Sequence, residues 1–416
     1  MKNKKTFETV LFTLVVVLFT ACQPKTIEQQ VEKLMKTDNR EKRETIAVAL
    51  ADSLDLRAIE LITGLYPNTQ YAEQALEDML SRYIQITAGY VSTNCSNPVE
   101  MAFECVGQIP THNAAVYLGE QSTFSTNGII AFHQIKSMSP DLKHVALLAG
   151  LKCETKNEKM QDSLLSEFYS FGQDASLDLF NNPQTVSVNA LKKIIAAFLQ
   201  EKETNKEMEM KSIICGLKIG DNDEIFQNSL ITAAKKHGDD AMIQLINEWY
   251  KDQSKGILIA INSFGNKAIL YLSNQLGKNK NAEELLAHIG KPAVNTLIAK
   301  MKNSEQDVRF AAADALVKMS KYNPNAVSNL TDAFDNKSIS AIAKNYPFYI
   351  RMGLSGTEDL LLKALKTNFS KNMCVDYLNC GNWLIESNAK DIAAQHGYGV
   401  YTEHGTHYGP KWGSGN

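Results

Sequence analysis

Eight histidines, seven cysteines and a scatter of adjacent carboxylates are the residues here that could carry chemistry. His237 and His396 each directly precede a glycine, and His288 stands two residues before Gly290. All three fall where the first helix of a repeated unit is expected to end. A histidine in a last helical turn interacts favourably with the negative end of the helix dipole and donates to free carbonyls. Belonging to different units, the three need not converge. Near the C-terminus, Glu403, His404 and His407 are metal-ligand types, but a Gly-rich stretch offers them no preformed geometry or second shell. The pairs Asp239-Asp240 and Glu283-Glu284 fall at turns and helix starts, where negative charge is favoured on structural grounds. No Ser-His-Asp order, CxxC, Gly-rich phosphate loop or HExxH occurs. The expectation is a chain with no catalytic residues, no cofactor and no metal, and not an enzyme.

The cysteines divide by position. Cys22 stands at the end of the leader. Cys95 and Cys105 lie in a loop-like region with Asn97 and Pro98 and could close a short loop. If Cys374 and Cys380 share a helix, six residues hold them about 9 Å apart along the axis, too far to bridge. The remaining thiols fit as small buried hydrophobes.

The elements that would hold these residues are helices. From about Ile27 onward, "ALEDMLSRYI", "ALKKIIAAFL" and "AMIQLINEWY" space apolar residues three or four apart between short Gly, Asn, Asp or Pro turns. One phrase recurs: Gly-x-x-Ala-x-x-x-Leu begins at Gly172, Gly238, Gly265 and Gly290, with Asn323 replacing glycine in a fifth copy and a degenerate "GTEDLLLKAL" at Gly356. In each, Gly (or Asn) is expected to take a left-handed turn after a helix, Ala to open the next helix at a close contact, and Leu to fill the core on the same face. The intervals 66, 27, 25, 33 and 33 suggest a unit near 33 residues, 66 being two of them, with two helices each. Such a period predicts an all-α fold, a solenoid of stacked antiparallel helix pairs.

Two stretches carry resemblances. Lys2, Lys4 and Lys5, an apolar run from Val10 to Phe19 and "FTAC" ending at Cys22 resemble the leader and lipobox of a bacterial lipoprotein, with Phe19 where Leu is usual and Glu8 ahead of the apolar core. The resemblance implies that Cys22 is diacylated and becomes the mature N-terminus, anchoring the chain without a transmembrane helix. An ordinary signal peptide cut near Ala21, releasing a soluble secreted protein, is the other reading. "DVRFAAADALVKM" (Asp307 to Met319), preceded by "GKPAVNTLIAKMKNSEQ", resembles the short HEAT-like repeats first noted in phycobilin lyases; the likeness covers roughly Gly265 to Tyr398. It implies stacked helix pairs and little about chemistry. "LYPNTQYAEQALEDMLSRYI" (Leu65 to Ile84) is similar to one tetratricopeptide pair, and equally to a degenerate HEAT pair.

The expected organisation is a signal peptide over 1–21, an N-terminal helical block over 22–91 and a loop-rich connector with one helix over 92–139. A repeat solenoid over 140–398 and a Gly/aromatic tail over 399–416 follow. In that tail Tyr398, Tyr401 and Trp412 are expected to fold back over the last repeat, whose outer face lacks a neighbour. Losing residues 1–21 moves the formal charge from −3 to −5, with 40 basic against 45 acidic residues. No basic run remains, so nucleic acid is not an expected partner. The resulting expectation is a scaffold in the bacterial cell envelope, anchored through Cys22 to a membrane, periplasm-facing on the outer membrane, and binding a protein or peptide. An assembly factor for outer-membrane or surface complexes, or a lyase-type enzyme on HEAT repeats, is the alternative.

Overall fold

The computed structural model describes residues 26–52, isolated positions between 58 and 103, and then 112–123, 128–153, 157–200, 205–219, 223–398, 411–413 and 415. Cys22, Cys95, Cys105, Tyr401, Glu403, His404 and His407 lie outside the described residues. The fold is all-α and solenoid-like, with no strand among the described residues. The chain divides into two compact units, Met1–Glu203 and Thr204–Asn416. The boundary expected near 139/140 falls inside the first unit.

The first unit holds α1 (Ile27–Met35), α2 (Arg40–Asp52), α3 (His112–Ser122), α4 (Gly128–Ser137), α5 (Pro140–Lys152), α6 (Glu158–Tyr169), α7 (Gln173–Asn181) and α8 (Val188–Phe198). Thr26 and Gln29 close a reciprocal capping box on α1, and Asn157 and Ser187 cap α6 and α8. Each such cap contributes about 1 kcal/mol. Between 112 and 137, where a loop-rich connector with one helix was expected, two helices form. The physical reason is close packing: a Cβ on Gly119 would stand 2.0 Å from the Ala146 carbonyl oxygen, so α3 and α5 touch through their backbones. Polar composition concealed a glycine contact.

The second unit holds α9 (Lys206–Lys218), α10 (Glu224–Lys236), α11 (Asp239–Asp252), α12 (Lys255–Asn262), α13 (Asn266–Ser273), α14 (Lys280–Ile289) and α15 (Val294–Lys300). It continues with α16 (Gln306–Tyr322), α17 (Ser328–Asp335), α18 (Ile339–Lys344), α19 (Tyr346–Met352), α20 (Thr357–Thr367), α21 (Lys371–Leu378) and α22 (Trp383–Gln395). In chain order the helices alternate as α10–α11, α12–α13, α14–α15, α16–α17, α19–α20 and α21–α22, with α18 inserted after α17. First helices pack on first helices, α14 on α16 and α16 on α19, while α18 packs on second helix α20 and α20 on α22.

The repeated phrase opens the second helix of a pair in five of its six copies, those in this unit. Its alanines 175, 241, 268, 293 and 326 and its leucines 179, 245, 272, 297 and 330 are all buried. Gly172, Gly238, Gly265 and Gly290 have φ between 58° and 79° with ψ beyond −130°, a region that only glycine occupies readily. Asn323 departs from expectation: its φ is −149°, extended, because Pro324 follows and disfavours helical geometry at the preceding residue. The 66-residue interval crosses the division between units and contains four helices, α7, α8, α9 and α10.

Candidate functional site

The charged groups buried in the second unit gather where first helices α14, α16, α19 and α21 adjoin. Glu283 on α14 is 3% exposed, and no hydrogen-bond donor among the described residues reaches its Oε1. Burial pushes its pKa up to about 8, and the neighbouring Asp314 adds to the rise against the pull of Lys318, Lys280 and Arg351. Asp314 on α16 is raised by burial as well, opposed by Arg351 and two lysines. Arg351 on α19 sets its Nε 3.0 Å from Asp314 Oδ1 and its guanidinium 5.2 Å from the Phe310 ring centre. Two carboxylates thus share one guanidinium.

Around this floor runs a more exposed rim. Burial works to raise the Glu284 carboxyl, but hydrogen bonds from Lys318 (2.7 Å) and Tyr322 (2.5 Å) overcome it and hold the group below its usual range. Tyr322 is raised in turn by that same bond. His288 lies 3.5 Å from Glu284, stacks on Tyr322 with ring centres 4.5 Å apart, and meets Trp249 edge-on at 5.3 Å.

A second buried cluster ties α16 to α19 and α21. Asp376 is fully buried and accepts from Arg309 Nε (3.2 Å) and Nη2 (2.8 Å), from Gln306 (2.7 Å) and from Tyr346 (2.5 Å). Arg309 Nη1 spends its protons on the carbonyls of Asn303 and Ser304. Burial raises Asp376, while these partners oppose the rise.

The histidines do not meet. His237 caps α10, with its Nε2 3.1 Å from Glu209. His396 follows α22, the second helix of its pair rather than a first, and stacks on Phe369 at 4.0 Å. Only His288 joins a cluster. Among the four described cysteines that are free, Cys215 and Cys380 are pushed up to about 11 and about 12 by burial, so neither forms a thiolate at neutral pH. Among the described residues no group of three or more His, Cys, Asp or Glu side chains could hold a metal ion. An open cleft of about 630 Å³ is lined by Asn205, Lys206, Glu207, Asp240, Ile243 and Gln244, none of them in these clusters. Asp239 and Asp240 are solvated first-turn charges, Asp240 paired to Lys206 at 2.9 Å. Glu283, expected to be equally bland, is the residue that sequence reasoning missed.

The tail is placed differently from the expectation. Tyr398 stays by the last helix, its ring 5.4 Å from Phe369. Trp412 instead crosses to the other end of α22, its amide donating to the Cys380 carbonyl at 2.7 Å. There Leu354 (39% exposed) and Trp383 (77% exposed) also lie, the two loops joined by Asn382 to Glu358 at 3.4 Å. Compared with protein-family models and with curated proteins, the chain matches none.

Proposed function

We propose that this chain is a lipid-anchored scaffold of the bacterial cell envelope, held through Cys22 and binding a protein or peptide partner through its helical-repeat surface, without catalysis of its own. The observation that carries the reading is a contrast in exposure. Glu283, Arg309, Arg351 and Asp376 of the second unit are buried, whereas Trp383 and Leu354 stand in solvent at one edge of the last two pairs. Exposed aromatic anchors are the usual core of a protein-binding surface. The "FTAC" leader supports the anchor, and the HEAT-like phrase supports a surface built from repeated pairs. No helix among the described residues is long and apolar enough to cross a membrane.

Two substitutions test it. Cys22→Ser should move the protein from the membrane pellet to the soluble fraction. Trp383→Ala with Leu354→Ala should lower crosslinking to envelope partners at least tenfold, with thermal melting unchanged. Full membrane retention of the first, or undiminished crosslinking of the second, refutes the corresponding half.

A further inference from the structure

The end of the chain occupies a groove in the second unit. Helix α19 has seven residues where its neighbour α16 has seventeen, and the chain segment around Trp412 to Gly415 lies beyond its C-terminus. The last carbonyls of a helix have no intrahelical partner, and the tail supplies donors to two of those on α19 and to one carbonyl just beyond α21. Trp412 donates to Cys380 at 2.7 Å, Gly413 to Ile350 at 2.9 Å and Gly415 to Arg351 at 3.1 Å. All three bonds run from main chain to main chain, so they recognise a turned backbone rather than particular side chains.

Space supplies the selectivity. A Cβ on Gly353 would stand 2.4 Å from the Cα of Gly413 and 3.3 Å from the Trp412 indole nitrogen. Gly413 itself holds φ at 68°. Gly415 is buried, and a Cβ there would meet the Arg351 carbonyl oxygen at 3.1 Å and the Cβ atoms of Arg351 and Val317 at 3.2 Å. The groove therefore accepts an aromatic residue over Gly353 and selects glycine at the positions of Gly413 and Gly415.

We propose that this groove is a binding site for peptides of the form aromatic-Gly-x-Gly that turn at the first glycine, and that the chain's own end is its resident, displaceable ligand. The proposal rests on the peptide-binding reading above and names the peptide class. Tether length agrees with displacement. Tyr398 and Cys380 flank opposite ends of α22, whose thirteen residues span about 20 Å. Residues 399–410 joining Tyr398 to Lys411 can span about 40 Å when extended, roughly twice what is required. A tether of that length presents the tail at an effective concentration of order millimolar, so a partner bearing the same motif competes with it and the resident tail sets the threshold.

The test uses a fluorescein-labelled peptide of residues Lys411 to Asn416 and the full chain, read by anisotropy. In one variant Gly413→Val and Gly415→Val disable the resident tail. That variant should bind the peptide at least tenfold more tightly than the unaltered chain, and adding Gly353→Ala should abolish the binding. Equal binding by the unaltered chain and the tail variant, or none by a tail variant that still melts cooperatively, overturns the proposal. Should the tail variant fail to fold, hydrogen exchange on the unaltered protein decides. Excess unlabelled peptide should accelerate exchange of the Gly413 and Gly415 amides at least tenfold, and unchanged exchange overturns the proposal. Peptide binding lost while crosslinking through Trp383 persists sinks this inference alone; the reverse sinks only the scaffold reading.

Discussion

Two buried charge clusters share helices α16 and α19, and they are built to opposite specifications. Around Asp376 every carboxylate lone pair in reach has a donor, and the paired Arg309 is bonded on the rest of its fork. Around Glu283 two carboxylates compete for Arg351, and one buried oxygen receives no hydrogen bond among the described residues. The first cluster offsets its desolvation with geometry. The second avoids it by keeping a proton, since a carboxyl with a pKa near 8 is neutral at pH 7. Burial alone therefore says little about a charge; what matters is how many donors surround it.

The largest effect should come from breaking the satisfied cluster. Asp376→Ala leaves Arg309 buried without its counter-ion and should destabilise the protein by about 3–5 kcal/mol, measured by denaturant unfolding at pH 7. A loss under 1 kcal/mol would erase the distinction between the clusters. The unsatisfied one should respond in the opposite sense. Glu283 has a folded pKa above its unfolded value, so the native state binds the extra proton. Its contribution is full below about pH 4.5 and is lost as pH rises towards 8. Glu283→Gln keeps the neutral shape, so it should stabilise the protein at pH 8 by about 2 kcal/mol and flatten the stability profile between pH 5 and 8. Melting curves across that range check it, and an unchanged slope would show that Glu283 ionises freely. A backbone control comes last. Gly265→Ala meets no atom within 4 Å yet must hold a positive φ, and should cost about 1–2 kcal/mol at every pH.

Local features were legible and distant partnerships were not. The Gly-x-x-Ala-x-x-x-Leu phrase marked where pairs turn, because its three requirements lie within eight residues. Asn323 was misread because the analogy with glycine outweighed the proline beside it. Glu283 passed as a first-turn acid, although its i+3 and i+4 neighbours Leu286 and Ala287 are both buried and place it on the inward face. Arg309 lies in the quoted "DVRFAAADALVKM" stretch, but nothing local points to Asp376, 67 residues on. Likewise "WGSG" showed glycine without showing that Gly353 leaves room for it.

The Arg309–Asp376 pair also bears on how the protein comes apart. In an ideal repeat array each unit touches only its neighbours, and such arrays fray from their ends one unit at a time. Here a bond from α16 reaches over the α19–α20 pair to α21, and the chain end returns to Val317 on α16. Residues from about 306 onward are thereby closed into a loop whose opening exposes several pairs together. That stretch should exchange its amide protons as one cooperative block, and a pull on the C-terminus should meet a single resisting step where a plain stack would peel.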